Sequence, residues 1–295
     1  MTRESDLLRH IYHRSARLSA RDAIALGPGD DAAALHMSHD VLLTVDQLIE
    51  GRHYTLGTPV ADIAHKAVAR SVSDIAAMAG RPRAGLCAAC LRTGTTDADT
   101  LFDAVARAGE ALDCPLVGGD IAFADGPTIL TVTVIGTPHP ERGPVTRSGA
   151  RPGDAVCVTG KLGGSFASGR HLALTPRVAE ASQLADSLGT RLTSMIDISD
   201  GLGRDLARVA EASGVRIVLD AAALPRHDDV STWLDAASDG EDYELAFTVT
   251  GTPPETAHGT PITVIGIVEE GAGCVARGDE GSLHDLTEAG WDHQA

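Results

Sequence analysis

The chain has 295 residues, of which 43% are hydrophobic, 22% charged and 3% aromatic, and its net charge is −17. This is a globular balance, which argues against disorder and leaves a core of Ala, Val, Leu and Ile. The negative field argues against nucleic acid and membrane partners, since no basic patch breaks it, and would repel an anionic substrate unless cations bridged the two.

Residues 5–16 carry Leu7, Leu8, Ile11 and Tyr12 at helical spacing. Val41–Val45 reads as a strand ending at Asp46. Thr58 and Pro59 open a helix whose apolar positions run through Val60, Ile63, Ala67, Val72 and Ile75 to Gly80. A strand at 84–91, a helix at 98–112 and strands at 115–118 and 128–136 follow. Residues 138–154 are rich in Pro and Gly and mark the expected boundary between a domain at 1–138 and a second at 139–295. Beyond it come a strand at 155–159, a helical stretch at 177–188, a helix at 200–212, and strands at 216–219, 245–249 and 262–268.

The start, Met1 to Asp6, lacks the apolar stretch of a signal peptide, and no run of about 18 apolar residues occurs, so a cytoplasmic location is expected. The five cysteines agree, being odd in number and scattered through apolar segments. Cys87 and Cys90 form a CxxC, but within a buried-strand pattern and without a second pair, which favours core packing over zinc or redox chemistry.

One feature recurs: aspartate beside glycine or serine, near the end of a predicted strand or helix. It appears at Asp30-Asp31, Asp46, Asp74, Asp120, Asp197 with Asp200, and Asp242 after Glu241. Each alone could be a turn or cap. Together they suggest a set of hard oxygen ligands for Mg²⁺, which shares its shell with substrate phosphates. Asp197 and Asp200 bracket Ser199, so one turn could present both to one ion. Walker A, GxGxxG, GxSxG and HExxH signatures are absent.

Taken in order, these stretches resemble the thiamine-monophosphate kinase family. The matches are Gly27-Pro-Gly-Asp-Asp-Ala32, Thr44-Val-Asp-Gln-Leu-Ile-Glu-Gly-Arg-His53, Lys66–Gly80, Leu116-Val-Gly-Gly-Asp120, Thr146–Asp154, Ile196–Leu202, Gly240-Glu-Asp-Tyr-Glu-Leu245 and Gly290-Trp-Asp292. The resemblance implies a two-domain synthetase-like fold of the α/β (α+β) type. N-terminal strands of two subunits would join into a barrel across a homodimer, beside a C-terminal α/β domain. It implies ATP and several Mg²⁺ ions as cofactors and thiamine monophosphate as substrate. By position, Asp31, Thr44, Asp46, Asp74, Asp120, Asp197 and Asp200 match metal ligands. Gly119, Asp120, Arg147 and Ser199 match nucleotide contacts, and His53, Glu241 and Trp291 match thiamine-phosphate contacts. Asp120, Asp200 and Arg147 would carry the catalysis.

The chain departs from the family pattern at Val45, Ile121 and Asp239 and in a short stretch between Gly160 and Ser194. Two other readings compete: another enzyme of the superfamily, such as aminoimidazole ribonucleotide synthetase, or a non-catalytic nucleotide-binding relative. The first is opposed by the His53, Glu241 and Trp291 positions, and the second by retention of every matched carboxylate.

Overall fold

A computed structural model describes residues 24–26, 33–36, 40–278 and 281–292. The helix expected at 5–16, the Gly27–Ala32 motif and Asp31 fall outside these residues.

The first sheet has six strands: β1 (Ile24–Leu26), β2 (Ala33–His36), β3 (Asp40–Ile49), β4 (Arg81–Arg92), β5 (Leu116–Ala124) and β6 (Ile129–Thr137), in the order β1-β2-β3-β6-β4-β5. Every neighbouring pair is antiparallel except β4 with β5. Two helices, α1 (Val60–Ala77) and α2 (Ala98–Ala111), contribute to its core. Pro59 ends the extended approach to α1, and the alanine-rich segment after it has high helix propensity.

The second sheet runs β14-β13-β9-β12-β7-β10-β8. Its strands are β7 (Ala155–Thr159), β8 (Leu192–Asp197), β9 (Arg216–Asp220), β10 (Leu245–Val249), β12 (Thr260–Glu269), β13 (Gly273–Arg277) and β14 (Leu283–Asp285), while β11 (Thr256–Ala257) pairs with β12 off this path. Only β9 with β13 is parallel. The helices here are α3 (Ser165–Ser168), α4 (Val178–Leu188), α5 (Leu202–Ser213) and α6 (Trp233–Ser238). The fold is therefore mixed α and β, and neither sheet closes into a barrel within the chain.

Helix α1 is buried along most of its length because it serves both sheets. Val68, Val72 and Ile75 pack with Leu42, Leu48, Leu130 and Val132 of the first sheet. Ala76 and Ala77 instead join Leu184, Met195, Leu245 and Phe247. Small alanines let the second sheet come close, and the aliphatic core follows from the scarcity of aromatics.

Two differences from the sequence expectations have local causes. Strand β3 continues through Asp46 to Ile49, so Asp46 lies within a strand rather than just beyond one. Strand β8 carries no apolar alternation, since all six of its residues are buried. Its polar members are satisfied internally: Thr193 Oγ1 and Ser194 Oγ lie 2.6 and 2.7 Å from Thr248 Oγ1 on β10.

A buried ion pair holds α4 against the start of β10. Arg177 Nε donates to Glu244 Oε2 at 2.8 Å, a second guanidinium nitrogen reaches Glu244 Oε1, and Thr159 Oγ1 donates to the same carboxylate at 2.6 Å. Arg177→Met should strand the Glu244 charge and lower stability by about 3 kcal/mol in urea unfolding. Adding Glu244→Gln should recover much of that loss.

Candidate active site

Lys66, Arg70 and Asp74 follow one another on α1 at four-residue intervals, and Ser73 lies three residues after Arg70, so they share one stripe of the helix. Lys66 is fully buried, with 0% of its surface exposed. Its Nζ lies 2.5 Å from Glu241 Oε2, 2.8 Å from the His53 carbonyl oxygen and 2.6 Å from His171 Nδ1. The ammonium thus has one acceptor for each of its three protons. Burial pulls Lys66 down to about 8 while Glu241 opposes the fall, so at neutral pH it stays charged. Burial and the Lys66 charge hold His171 down at about 4, which keeps its ring neutral.

One turn further on, Arg70 Nη1 donates to the Gln47 carbonyl at 2.8 Å and Nη2 lies 3.6 Å from Asp46 Oδ1. Ser73 Oγ donates to Asp197 Oδ2 at 2.6 Å, and Thr44 Oγ1 donates to Asp74 Oδ2. The stripe therefore gathers Thr44 and Asp46 from β3, Asp74 from α1 and Asp197 from the end of β8.

Next to Asp197 the chain turns sharply. Three successive amides, of Ser199, Asp200 and Gly201, donate to the Asp205 carboxylate at 3.0, 3.0 and 3.2 Å. Burial pushes Asp205 up, and Arg208 opposes this with contacts of 2.5 Å to Asp205 and 2.6 Å to Asp200. Arg147 adds a positive charge to the field acting on Asp205 and Arg208, and its carbonyl accepts from Ser213 Oγ at the far end of α5, 3.1 Å away. Trp291 N donates to the Asp200 carbonyl at 2.8 Å, and the residue is 54% exposed.

The segment 240–243 packs on the same loop. Glu241 N donates to the Ser199 carbonyl and Tyr243 N to that of Ile198, both at 2.8 Å. Gly240, Glu241 and Tyr243 all have positive φ, at 70°, 60° and 52°. A Cβ on Gly240 would stand 2.8 Å from the Ser199 carbonyl oxygen, so only glycine fits there. Asp242 clamps the neighbouring loop by accepting from Gly163 N at 3.0 Å and Ser165 Oγ at 2.6 Å.

The sequence-predicted residues thus form three groups. Thr44, Asp46, Asp74 and Asp197 lie along α1. Ser199 and Asp200 form part of the 198–201 turn and Trp291 bonds to it, while Arg147 acts on the Asp205 and Arg208 charges next to it. His53 and Glu241 are joined through Lys66. Gly119 and Asp120 stand apart on the edge strand β5, where Asp120 pairs with the exposed Ala88 and so faces away from the helices. A Cβ at Gly119 would come 1.9 Å from the Cys87 carbonyl oxygen, which accounts for the glycine. Among the described residues no three His, Cys, Asp or Glu side chains are clustered as a ready metal cage.

Sequence reading gave no role to Lys66, Arg70 or His171. The available signal was two charges four residues apart in an alanine-rich apolar helix, where a solvated face would have shown more.

The model for the AIR synthase related protein N-terminal domain matches residues 29–137. A thiamine-monophosphate kinase of Rhodopirellula baltica is 32% identical over 90% of this chain and 89% of its own length. The chain belongs to the thiamine-monophosphate kinase family. The Escherichia coli thiamine-monophosphate kinase is 35% identical over 80% of this chain and 78% of its own. In three dimensions, AaThiL complexed with AMPPCP and TMP superposes with a TM-score of 0.82 at 28% identity, covering 99% of this chain and 97% of that one. The mixed fold with two largely antiparallel sheets is accordingly the fold of this kinase family.

The Asp242 clamp should show in the pH dependence of stability. Burial raises its carboxyl to about 7, above the unfolded value of 3.8. A raised carboxyl contributes stability that is full below the unfolded pKa and lost as pH rises through the folded one. Relative to Asp242→Asn, the parent should therefore be more stable at pH 5 than at pH 8, as read by thermal melts.

Proposed function

We propose that this chain transfers the γ-phosphoryl group of ATP to the phosphate of thiamine monophosphate, giving thiamine diphosphate and ADP. The reading is supported by relatives spanning most of the chain and by the fold shared with a protein solved with AMPPCP, an ATP analogue, and TMP. The observation that carries it is the oxygen-lined stripe of Thr44, Asp46, Asp74 and Asp197 beside the Asp200 turn.

Those donors are all hard oxygens, the set that Mg²⁺ prefers, and no thiol or imidazole stands among them. We assign Thr44, Asp46, Asp74, Asp197 and Asp200 as the residues that would hold Mg²⁺, and add Asp31 and Asp120 on motif match alone, since Asp120 stands apart from this stripe on β5. When bound, the metal would offset charge on the phosphates of both reactants. Gly119, Asp120, Arg147 and Ser199 are assigned to the nucleotide, and Arg147 supplies a guanidinium suited to phosphate oxygens. His53, Glu241 and Trp291 are assigned to the thiamine phosphate, where an indole face suits the cationic thiazolium.

In the reaction an oxygen of the acceptor phosphate bonds to the γ-phosphorus in line while the bond to the ADP oxygen breaks. A phosphate monoester has its second pKa near 6, so at neutral pH the acceptor is already a dianion and needs no general base. The histidines agree with that reading. His171 is held neutral with Nδ1 facing Lys66, and His53 Nδ1 accepts from Ile49 N at 2.9 Å.

Residues 1–138 would form the nucleotide-binding and dimerising domain and 139–295 the second. Val45, Leu86 and Ile135 are exposed on the helix-free face of the first sheet, and Val117, Ile121 and Phe123 on its edge strand. The exposed apolar residues of this face and of the edge strand support a homodimer that uses this sheet. No described helix is long and apolar enough to cross a membrane.

Incubation with ATP, Mg²⁺ and thiamine monophosphate should yield thiamine diphosphate, and chromatography that detects none would refute the reading. Asp200→Asn and Asp120→Asn should each cut kcat by orders of magnitude with the circular dichroism unchanged. Near-normal rates at low Mg²⁺ would remove that residue from the metal set. Phe123→Asp should move the sedimenting species from dimer to monomer.

A further inference from the structure

We propose that Lys66 is a positioning residue for the acceptor, fixing the Glu241 carboxylate and the His53 main chain in one arrangement from helix α1. The inference rests on the functional reading above and deepens it, because Glu241 and His53 belong to different parts of the fold. His53 follows β3 in the first sheet, whereas Glu241 precedes β10 in the second. Lys66 Nζ touches both, at 2.8 Å to the His53 carbonyl oxygen and 2.5 Å to Glu241 Oε2.

A charge at 0% exposure is expensive to bury, and the structure meets the cost with three acceptors. Core packing alone would be served better by methionine or leucine at this site in α1. The carboxylate it binds sits in a segment that needs outside support. Glu241 and Tyr243 are non-glycine residues in the left-handed region, a conformation that persists only where surroundings over-determine it. The Ser199 and Ile198 carbonyls fix the backbone of that segment, and Lys66 fixes the Glu241 side chain. His171 completes the arrangement. Its ring stacks on Phe166 at 4.5 Å and 20°, which orients Nδ1 towards Lys66, 2.6 Å away. A carboxylate so held is preorganised for a ligand and does not have to be gathered when the ligand arrives.

The test is a double-mutant cycle on steady-state kinetics with Lys66→Met, Glu241→Gln and the pair. Lys66→Met should raise the KM for thiamine monophosphate by about tenfold to a hundredfold, the usual effect of losing a supporting residue. The KM for ATP should stay within about twofold. In the Glu241→Gln background, Lys66→Met should add little, because the group it positions is already neutral. Equal rises in both KM values, or full multiplication of the two effects, would overturn the proposal and leave Lys66 a structural charge. Should Lys66→Met fail to fold, the neutral pair leaves no charge stranded, and its comparison with Glu241→Gln alone decides the question. If the parent forms no thiamine diphosphate, the functional reading fails instead. Calorimetric titration of parent and variants with thiamine monophosphate alone then decides the role of Lys66, with a selective loss expected in Lys66→Met and equal binding overturning it.

Discussion

The rest of the site depends on a charged stripe that one helix carries into the seam between two sheets. Lys66, Arg70 and Asp74 are placed where packing alone would put alanine or valine, and α1 has apolar neighbours on its other sides. Buried charges of this kind are tolerated only when their partners arrive in the right places. Those partners come from both sides of the seam: Glu241 from the segment before β10, and Thr44 and Asp46 from β3, while Asp197 at the end of β8 accepts from the neighbouring Ser73. The stripe therefore links the sheets electrostatically as well as through packing, and it ties the site's geometry to their mutual arrangement.

Along α1 the chemistry divides by position. Towards its N-terminal half lies the ammonium of Lys66 with a carboxylate, an imidazole and a carbonyl around it. Towards its C-terminal half the groups become hydroxyls and carboxylates, with Arg70 between the two zones. In the proposed function the first zone serves the acceptor and the second the metal-bound phosphates. Phosphoryl transfer asks little of a protein beyond holding two polyanions in line. A rigid helix presenting both zones at fixed spacing meets that demand.

How much of this was legible in the sequence varied with the physics of each element. Helix α1 and strands β6, β7 and β10 carried plain apolar patterns and lay where expected. Strand β8 was missed because its Thr193 and Ser194 hydroxyls pair with Thr248, a compensation visible only in three dimensions. Asp46 looked like a residue beyond a strand, yet β3 runs on past it because its side chain lies beside Arg70 on the helix side of the sheet. The matched aspartates could be identified from motif order, but Lys66 could not be given a role from sequence, since its partners are His53, His171 and Glu241, far apart in the chain. Conversely, Gly119 and Asp120 read as close companions of the other motifs, while the fold sets them on an edge strand.

The Asp205 clamp has a wider implication for what this protein can attract. The amides at the start of α5 point at a carboxylate from the helix's own first turn. In many nucleotide-binding proteins such amides are the lure for phosphate. Here that lure is already spent internally, and the surrounding chain has a net charge of −17. A bare polyanion would meet repulsion at long range and, at the start of α5, amides that already hold a carboxylate. A nucleotide that comes already chelated by a divalent cation meets neither obstacle to the same degree. In the proposed function this arrangement would favour the chelated over the free form of the same molecule before any base, sugar or ring is recognised.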